Sequence, residues 1–163
     1  KYPKLSPKFI FLYPAYNFRN TEVGAVIGIN QLKSLALDSK YPVHFLGYQK
    51  KVVNIYEWID IVVLPSIEYE SFGMVLLEAM LWKKPTICSN FGGMKEVVDN
   101  GKTGFVVPAN NRKELATALS VLIRNKDLRN KMGDEGNKRL KNYFSEKIML
   151  NKYQNLFNDN FNL

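Results

Sequence analysis

Four consecutive apolar residues, Ile61-Val62-Val63-Leu64, run into a carboxylate-rich turn from Pro65 to Phe72, then Gly73 and the segment Met74 to Trp82. No other stretch constrains the fold as tightly. The apolar run reads as a buried strand, and the segment after Gly73 reads as a helix. A strand leading straight into a helix leaves several backbone N–H groups without intrahelical partners. Such an end binds phosphate well. Glu70 stands just before the helix and Glu78 inside it. Carboxylates repel phosphate, so at these positions they suit hydroxyl groups. The stretch therefore points to a ligand with phosphate in the middle and sugars at both ends.

The rest of the chain repeats the alternation of strand and helix. Phe9 to Tyr13 reads as the first strand, ended by Pro14 and the Asn17-Phe18-Arg19-Asn20 cluster. From Thr21 to Asp38 a strand followed by a helix and a single long helix both fit. Val43 to Gly47 is another strand, a short helix covers about Val52 to Trp58, and the strand at Ile61 follows. The helix from Met74 stops at Lys83-Lys84-Pro85, whose cations suit a helix C-terminus. Thr86 to Ser89 and Gly104 to Pro108 read as further strands. Between them lie the Gly92-Gly93 turn and a short helix from Met94 to Val98. Three helices close the chain. Asn111 and Glu114 resemble a capping box for the first, with Leu115, Leu119 and Leu122 on one face. The second, about Asp127 to Asn142, turns Leu128, Met132 and Leu140 inward. Ser145 caps the third, which places Met149, Tyr153 and Leu156 on one face. Alternating strands and helices indicate an α/β fold with a doubly wound, Rossmann-like parallel sheet. Ligands sit at the carboxyl ends of the strands in such sheets, where Glu70 to Gly73 would lie.

Composition narrows the function classes. A chain of 163 residues, 46% apolar and 13% aromatic, supports one globular domain. Residues 1–8 read as a polar linker and 9–163 as the domain. No run approaches the ~18 apolar residues of a membrane span, and no signal peptide is visible. The single cysteine, Cys88, lies in an apolar run and reads as a buried thiol, consistent with a cytoplasmic location. The single histidine, His44, reads as structural. One histidine argues against a His-based metal site or a Ser-His-Asp triad. The net charge of +8 is concentrated in the last third and reads first as a solvated basic face. Proximity to an anionic membrane comes next, and nucleic acid last.

The sequence resembles the C-terminal, donor-binding domain of retaining glycosyltransferases of the GT-B fold, family 4 (glycosyl transferases group 1). The resemblance rests on Ser66 to Met80, on Gly92-Gly93-Met94-Lys95-Glu96-Val97-Val98, on Asn100 to Pro108 and on Lys126 to Gly133. It runs continuously from about Val43 to Phe157, and its centre is Glu-x7-Glu with Phe-Gly after the first Glu. It implies the C-terminal half of a GT-B fold acting with a nucleotide-diphosphate sugar as donor substrate, and a transfer of hexosyltransferase type without a metal. Glu70 takes the first motif position, contacting the donor sugar's hydroxyls in the catalytic site. Ser71, Phe72, Gly73, Met74 and Val75 supply the loop and helix start whose amides meet the diphosphate. Glu78 holds the ribose hydroxyls, and Tyr48 lies where the family places the base. No side chain is assigned as a covalent nucleophile.

Two departures shape the expectations. The family's first strand leads to an Arg and a Lys that reach the diphosphate. Here Arg19 is the only cation near the Lys position, and Tyr13 or Pro14 occupies the Arg position. The segment before Gln49 is also short by about one strand-helix unit, somewhere within Thr21 to Lys40. The acceptor-binding N-terminal domain has no counterpart in these residues. Transfer then needs that domain or a partner subunit, with contact at the inner face of the membrane if the acceptor is lipid-linked, and the isolated domain is expected to be inactive. The alternative is a non-catalytic or split-subunit nucleotide-sugar-binding module, and a third reading is an enzyme acting on the nucleotide sugar itself, such as an epimerase.

Overall fold

The computed structural model describes residues 53–161 apart from Tyr69. The expected strands at Phe9 and Val43, the uncertain Thr21 to Lys40 segment, Arg19, His44 and Tyr48 lie outside the described residues. Within them the order is α1 (Val53–Trp58), β1 (Val62–Leu64), α2 (Met74–Leu81), β2 (Thr86–Ser89), α3 (Met94–Val97), β3 (Gly104–Val107), α4 (Arg112–Arg124), α5 (Lys126–Tyr143) and α6 (Glu146–Phe161). The strands form one parallel sheet in the order β1-β2-β3. Val62 pairs with Thr86 and Leu64 with Cys88, while Thr86 pairs with Gly104 and Ser89 with Val107. The α/β reading therefore holds, and each strand begins and ends close to where its apolar run does.

Alternate side chains along each strand serve opposite faces. Leu64 and Cys88 pack with Leu76 and Met80 of α2 and Met94 and Val97 of α3. Ile87 and Val107 pack on the other face with Ala118 and Leu122 of α4 and Met132 of α5. Helices thus cover both faces, as a parallel sheet requires. Farther along the first face, Val62 joins Ile55 and Tyr56 of α1 and Ala79 of α2 in a smaller cluster. Each large apolar side chain removed from water in these clusters stabilises the fold by ~1.5–3 kcal/mol.

Helix α5 reaches both faces, with Leu140 against the first cluster and Leu128 and Met132 against the second. The expected inward positions are correct. Apolar spacing missed the rest of the buried face, which is Arg129, Gly133, Gly136 and Asn137. The glycines let the helix approach α2 closely. A Cβ on Gly133 would stand 1.9 Å from the Lys83 carbonyl oxygen. The polar residues close other helices. Asn137 Nδ2 donates to the Met80 and Leu81 carbonyls at 3.1 Å each. Arg129 donates to the Leu122 and Ile123 carbonyls at the end of α4. Arg139 donates to the Glu96 and Val97 carbonyls at the end of α3, both at 2.8 Å.

Three local expectations change. Lys83 and Lys84 lie beyond α2 rather than in its last turn. Their amides bond back to Met80 and Ala79, closing the helix with Lys83 at φ 54. Arg129 and Arg139 are not part of a solvated basic face; their charges are committed to helix carbonyls. The capping box on α4 is half formed: Glu114 donates its amide to Asn111 Oδ1, but the Glu114 carboxylate accepts from the Asn111 side-chain amide. On α6, Met149, Tyr153 and Leu156 share the expected face and are all exposed. Among the described residues no helix is long and apolar enough to cross a membrane.

Candidate donor-binding site

The site forms where β1 gives way to α2. Gly73 precedes the helix in the left-handed region, φ 85, which an L side chain adopts only at a cost. A Cβ there would also stand 2.9 Å from Leu76 Cδ1 and 3.1 Å from Met94 Cγ. Glycine is the residue that lets the chain turn here beneath the core side chains of β1 and α3.

Having no side chain, Gly73 cannot cap the helix. Glu70 takes part of that role. Its Oε1 accepts from the Gly73 amide at 2.9 Å and the Phe72 amide at 3.3 Å. Two amides on one oxygen fix the carboxylate, and its Oε2 accepts no recorded bond among the described residues. The expected phosphate-binding amides therefore divide in two. Those of Phe72 and Gly73 serve Glu70. Those of Met74 and Val75, in the first turn, have no intrahelical acceptor, and nothing among the described residues takes them.

A second turn braces this loop from below. The Gly93 amide donates to the Ser71 carbonyl at 2.9 Å. A Cβ on Gly92 would stand 1.9 Å from the Glu70 carbonyl oxygen, and one on Gly93 would stand 2.5 Å from that of Ser71. Ser89 at the end of β2 donates its hydroxyl to the Ser66 carbonyl. The Gly92-Gly93 pair thus fixes the height of the Glu70 loop by backbone contact. Phe72 is half-buried and meets the Phe144 ring edge-on at 6.0 Å. That geometry makes it a packing residue, tying the loop to the end of α5.

Glu78 lies one helical turn beyond Met74 and Val75 and is exposed. Its Oε2 accepts from the hydroxyl of Tyr56 at 2.7 Å. Tyr56 is 3% exposed, and burial followed by the neighbouring Glu78 charge pushes its phenol upward, keeping it a proton donor. Sequence reasoning did not single out Tyr56. It lies 22 residues from Glu78 and on a different helix, so no local spacing links them. The structure brings Glu70, Ser71, Phe72, Gly73, Met74, Val75 and Glu78 together along one loop and helix start. Arg19 and Tyr48 lie outside the described residues. Among those residues, no group of three or more His, Cys, Asp or Glu side chains is placed to hold a metal ion.

The chain has relatives among known proteins. The family model for glycosyl transferases group 1 matches residues 23–139. The capsular polysaccharide biosynthesis glycosyltransferase CapM of Staphylococcus aureus is 28% identical over 91% of this chain and 40% of its own length. A glycosyltransferase of known structure from Rickettsia africae superposes with a TM-score of 0.72 at 31% identity, covering 80% of this chain and 36% of its own. The Anabaena protein HepE, solved in complex with UDP, gives a TM-score of 0.70 at 26% identity, covering 83% of this chain and 37% of its own. The chain therefore spans about two fifths of the length of these relatives. With a family match covering most of its residues and the same fold in its structural neighbours, the chain belongs to the glycosyl transferases group 1 family.

Proposed function

We propose that this chain is the donor-binding half of a retaining glycosyltransferase, holding a nucleotide-diphosphate sugar for transfer to an acceptor hydroxyl on another domain or subunit. The observation that carries this reading is the pair of open amides at Met74 and Val75, with a fixed carboxylate on either side. The diphosphate would meet those two amides and the positive end of α2. Glu70 would offer its free Oε2 to the sugar hydroxyls, and Glu78 would hold the ribose. The UDP complex of HepE supports a nucleoside diphosphate as the ligand class. In this reading Tyr48 would meet the base, and Arg19 would add a side-chain cation to the diphosphate.

The chemistry follows from the charge that develops. As the bond from the anomeric carbon to the diphosphate oxygen breaks, negative charge grows on the leaving group. N–H donors already in place stabilise it without reorganising. That work requires no metal. Because Glu70 already spends one oxygen on two amides, its own charge is partly compensated beside the diphosphate.

Isothermal titration of the full chain with UDP, GDP and ADP tests the reading. One nucleoside diphosphate should bind measurably. Glu78→Ala should weaken it by about 10- to 100-fold, the scale of hydrogen bonds to a charged group. Glu70→Ala should reduce affinity for the sugar-bearing donor more than for the bare diphosphate. No binding of any of the three, or an unchanged affinity in Glu78→Ala, would overturn it.

A further inference from the structure

We infer that Tyr56 is the positioning residue of the nucleotide site: its buried hydroxyl holds the Glu78 carboxylate in the rotamer that receives the ribose hydroxyls. The inference rests on the ribose-binding reading of Glu78 given above. Glu78 is exposed, and a free glutamate on a helix surface loses rotamer entropy when a ligand fixes it. The only recorded hydrogen bond to its side chain among the described residues comes from Tyr56, at 2.7 Å. That donor is buried. Its ring is packed in the cluster of Ile55, Ile59, Val62 and Ala79, with Val75 and Trp82 at its edge. An exposed, flexible acceptor is thus tied to a buried donor on another helix.

The acceptor count leaves room for a ligand. An ionised carboxylate offers about four lone-pair sites. Tyr56 uses one on Oε2, leaving Oε1 and the second site of Oε2 for the two adjacent hydroxyls of a ribose. The tie therefore orients Glu78 without occupying it. A phenylalanine at 56 would fill the same cluster and bring no buried hydroxyl to satisfy. Removing the hydroxyl therefore acts on the ligand through Glu78.

The test uses the full chain and whichever of UDP, GDP or ADP binds it best, together with the 2′,3′-dideoxy form of that diphosphate. Tyr56→Phe should weaken the ribose form by about tenfold, the scale of one charge-assisted hydrogen bond. It should leave affinity for the dideoxy form unchanged. In a Glu78→Ala background, Tyr56→Phe should cost nothing further. Equal weakening of both diphosphates, or full additivity with Glu78→Ala, would make Tyr56 a structural residue only and overturn the inference. An unchanged ribose-form affinity in Tyr56→Phe alongside a loss in Glu78→Ala would also overturn it while leaving the ribose assignment standing. If neither variant changed affinity, the ribose assignment of Glu78 would fall, and this inference with it. 4-Fluorophenylalanine in place of Tyr56 keeps the ring and its volume without the donor; it repeats the measurement if Tyr56→Phe melts below the assay temperature.

Discussion

Helix ends at the carboxyl edge of the sheet and helix ends beneath α5 face the same physical problem and are treated in opposite ways. Under α5, the last carbonyls of α2, α3 and α4 are taken by Asn137, Arg139 and Arg129. At the carboxyl edge, the first amides of α2 are left partly open. The loop before them is held by backbone contact, Gly92 and Gly93 against Glu70 and Ser71. Side chains that capped those amides would compete with a ligand. Glycine contacts from below hold the loop and leave its upper side free. The domain therefore separates the part that fixes structure from the part that offers bonds, although both act on the same helix, α2.

Substitutions that act on one region and spare the other test this separation. The largest effect is expected from Gly133→Ala. Its new Cβ would meet the Lys83 carbonyl oxygen at 1.9 Å, a backbone atom with no side-chain freedom to give way, and force α5 off the end of α2. A stability loss of ~3 kcal/mol or more in urea unfolding is expected. Gly92→Ala combines a comparable clash, at the Glu70 carbonyl, with φ 53. It should destabilise by ~2 kcal/mol, because a surface loop can shift where a helix interface cannot. Its distinguishing effect is on binding: the displaced Glu70 loop should lower nucleoside diphosphate affinity at least tenfold even where the fold survives, and an unchanged affinity would show that the two turns are not coupled.

Asn137→Ala should cost ~1–2 kcal/mol, since it takes the side-chain donor from the Leu81 carbonyl and leaves the Met80 carbonyl only the Lys83 amide. Measured below its melting temperature, its diphosphate affinity should match the parent chain, and a loss would break the division between the two regions.

The smallest effect belongs to the core that both regions share. Burial pushes the Cys88 thiol up from 9.0 to about 12. Between those values the folded chain keeps a proton that the unfolded chain releases. Stability from this group is thus complete below pH 9 and declines as pH rises towards 12. Between pH 8 and pH 10 the parent chain should lose ~1 kcal/mol more than Cys88→Ala in parallel urea titrations.

Sequence reading succeeded where the signal was local. The runs at Ile61, Thr86 and Gly104 become the three described strands because each is an apolar stretch bounded by turn residues. Gly73 was legible as a helix opener from one continuous stretch, the same stretch that singled out Glu70 and Glu78 as candidates. What escaped was long-range and polar. Arg129, Asn137 and Arg139 interrupt the apolar spacing of α5, so periodicity assigns such residues to solvent. Their partners are backbone carbonyls up to 57 residues away, which carry no residue type to match. The Glu70 bonds to Phe72 and Gly73 were hidden for a different reason. A carboxylate beside free amides can either accept them or leave them to a ligand, and spacing does not decide between the two.

The position of α5 late in the chain also bears on how the protein is made. The sheet, the Glu70 loop and helices α2 to α4 all leave the ribosome before Asn137 and Arg139 do. Until those residues emerge, the carbonyls that end α2 and α3 lack their side-chain partners, and Met80 lacks the neighbour that Gly136 brings. The nascent chain thus presents its Glu70 loop before α5 can close the helix that follows it. A translational pause before residue 126 would hold the chain without the side chains that close α2 and α3.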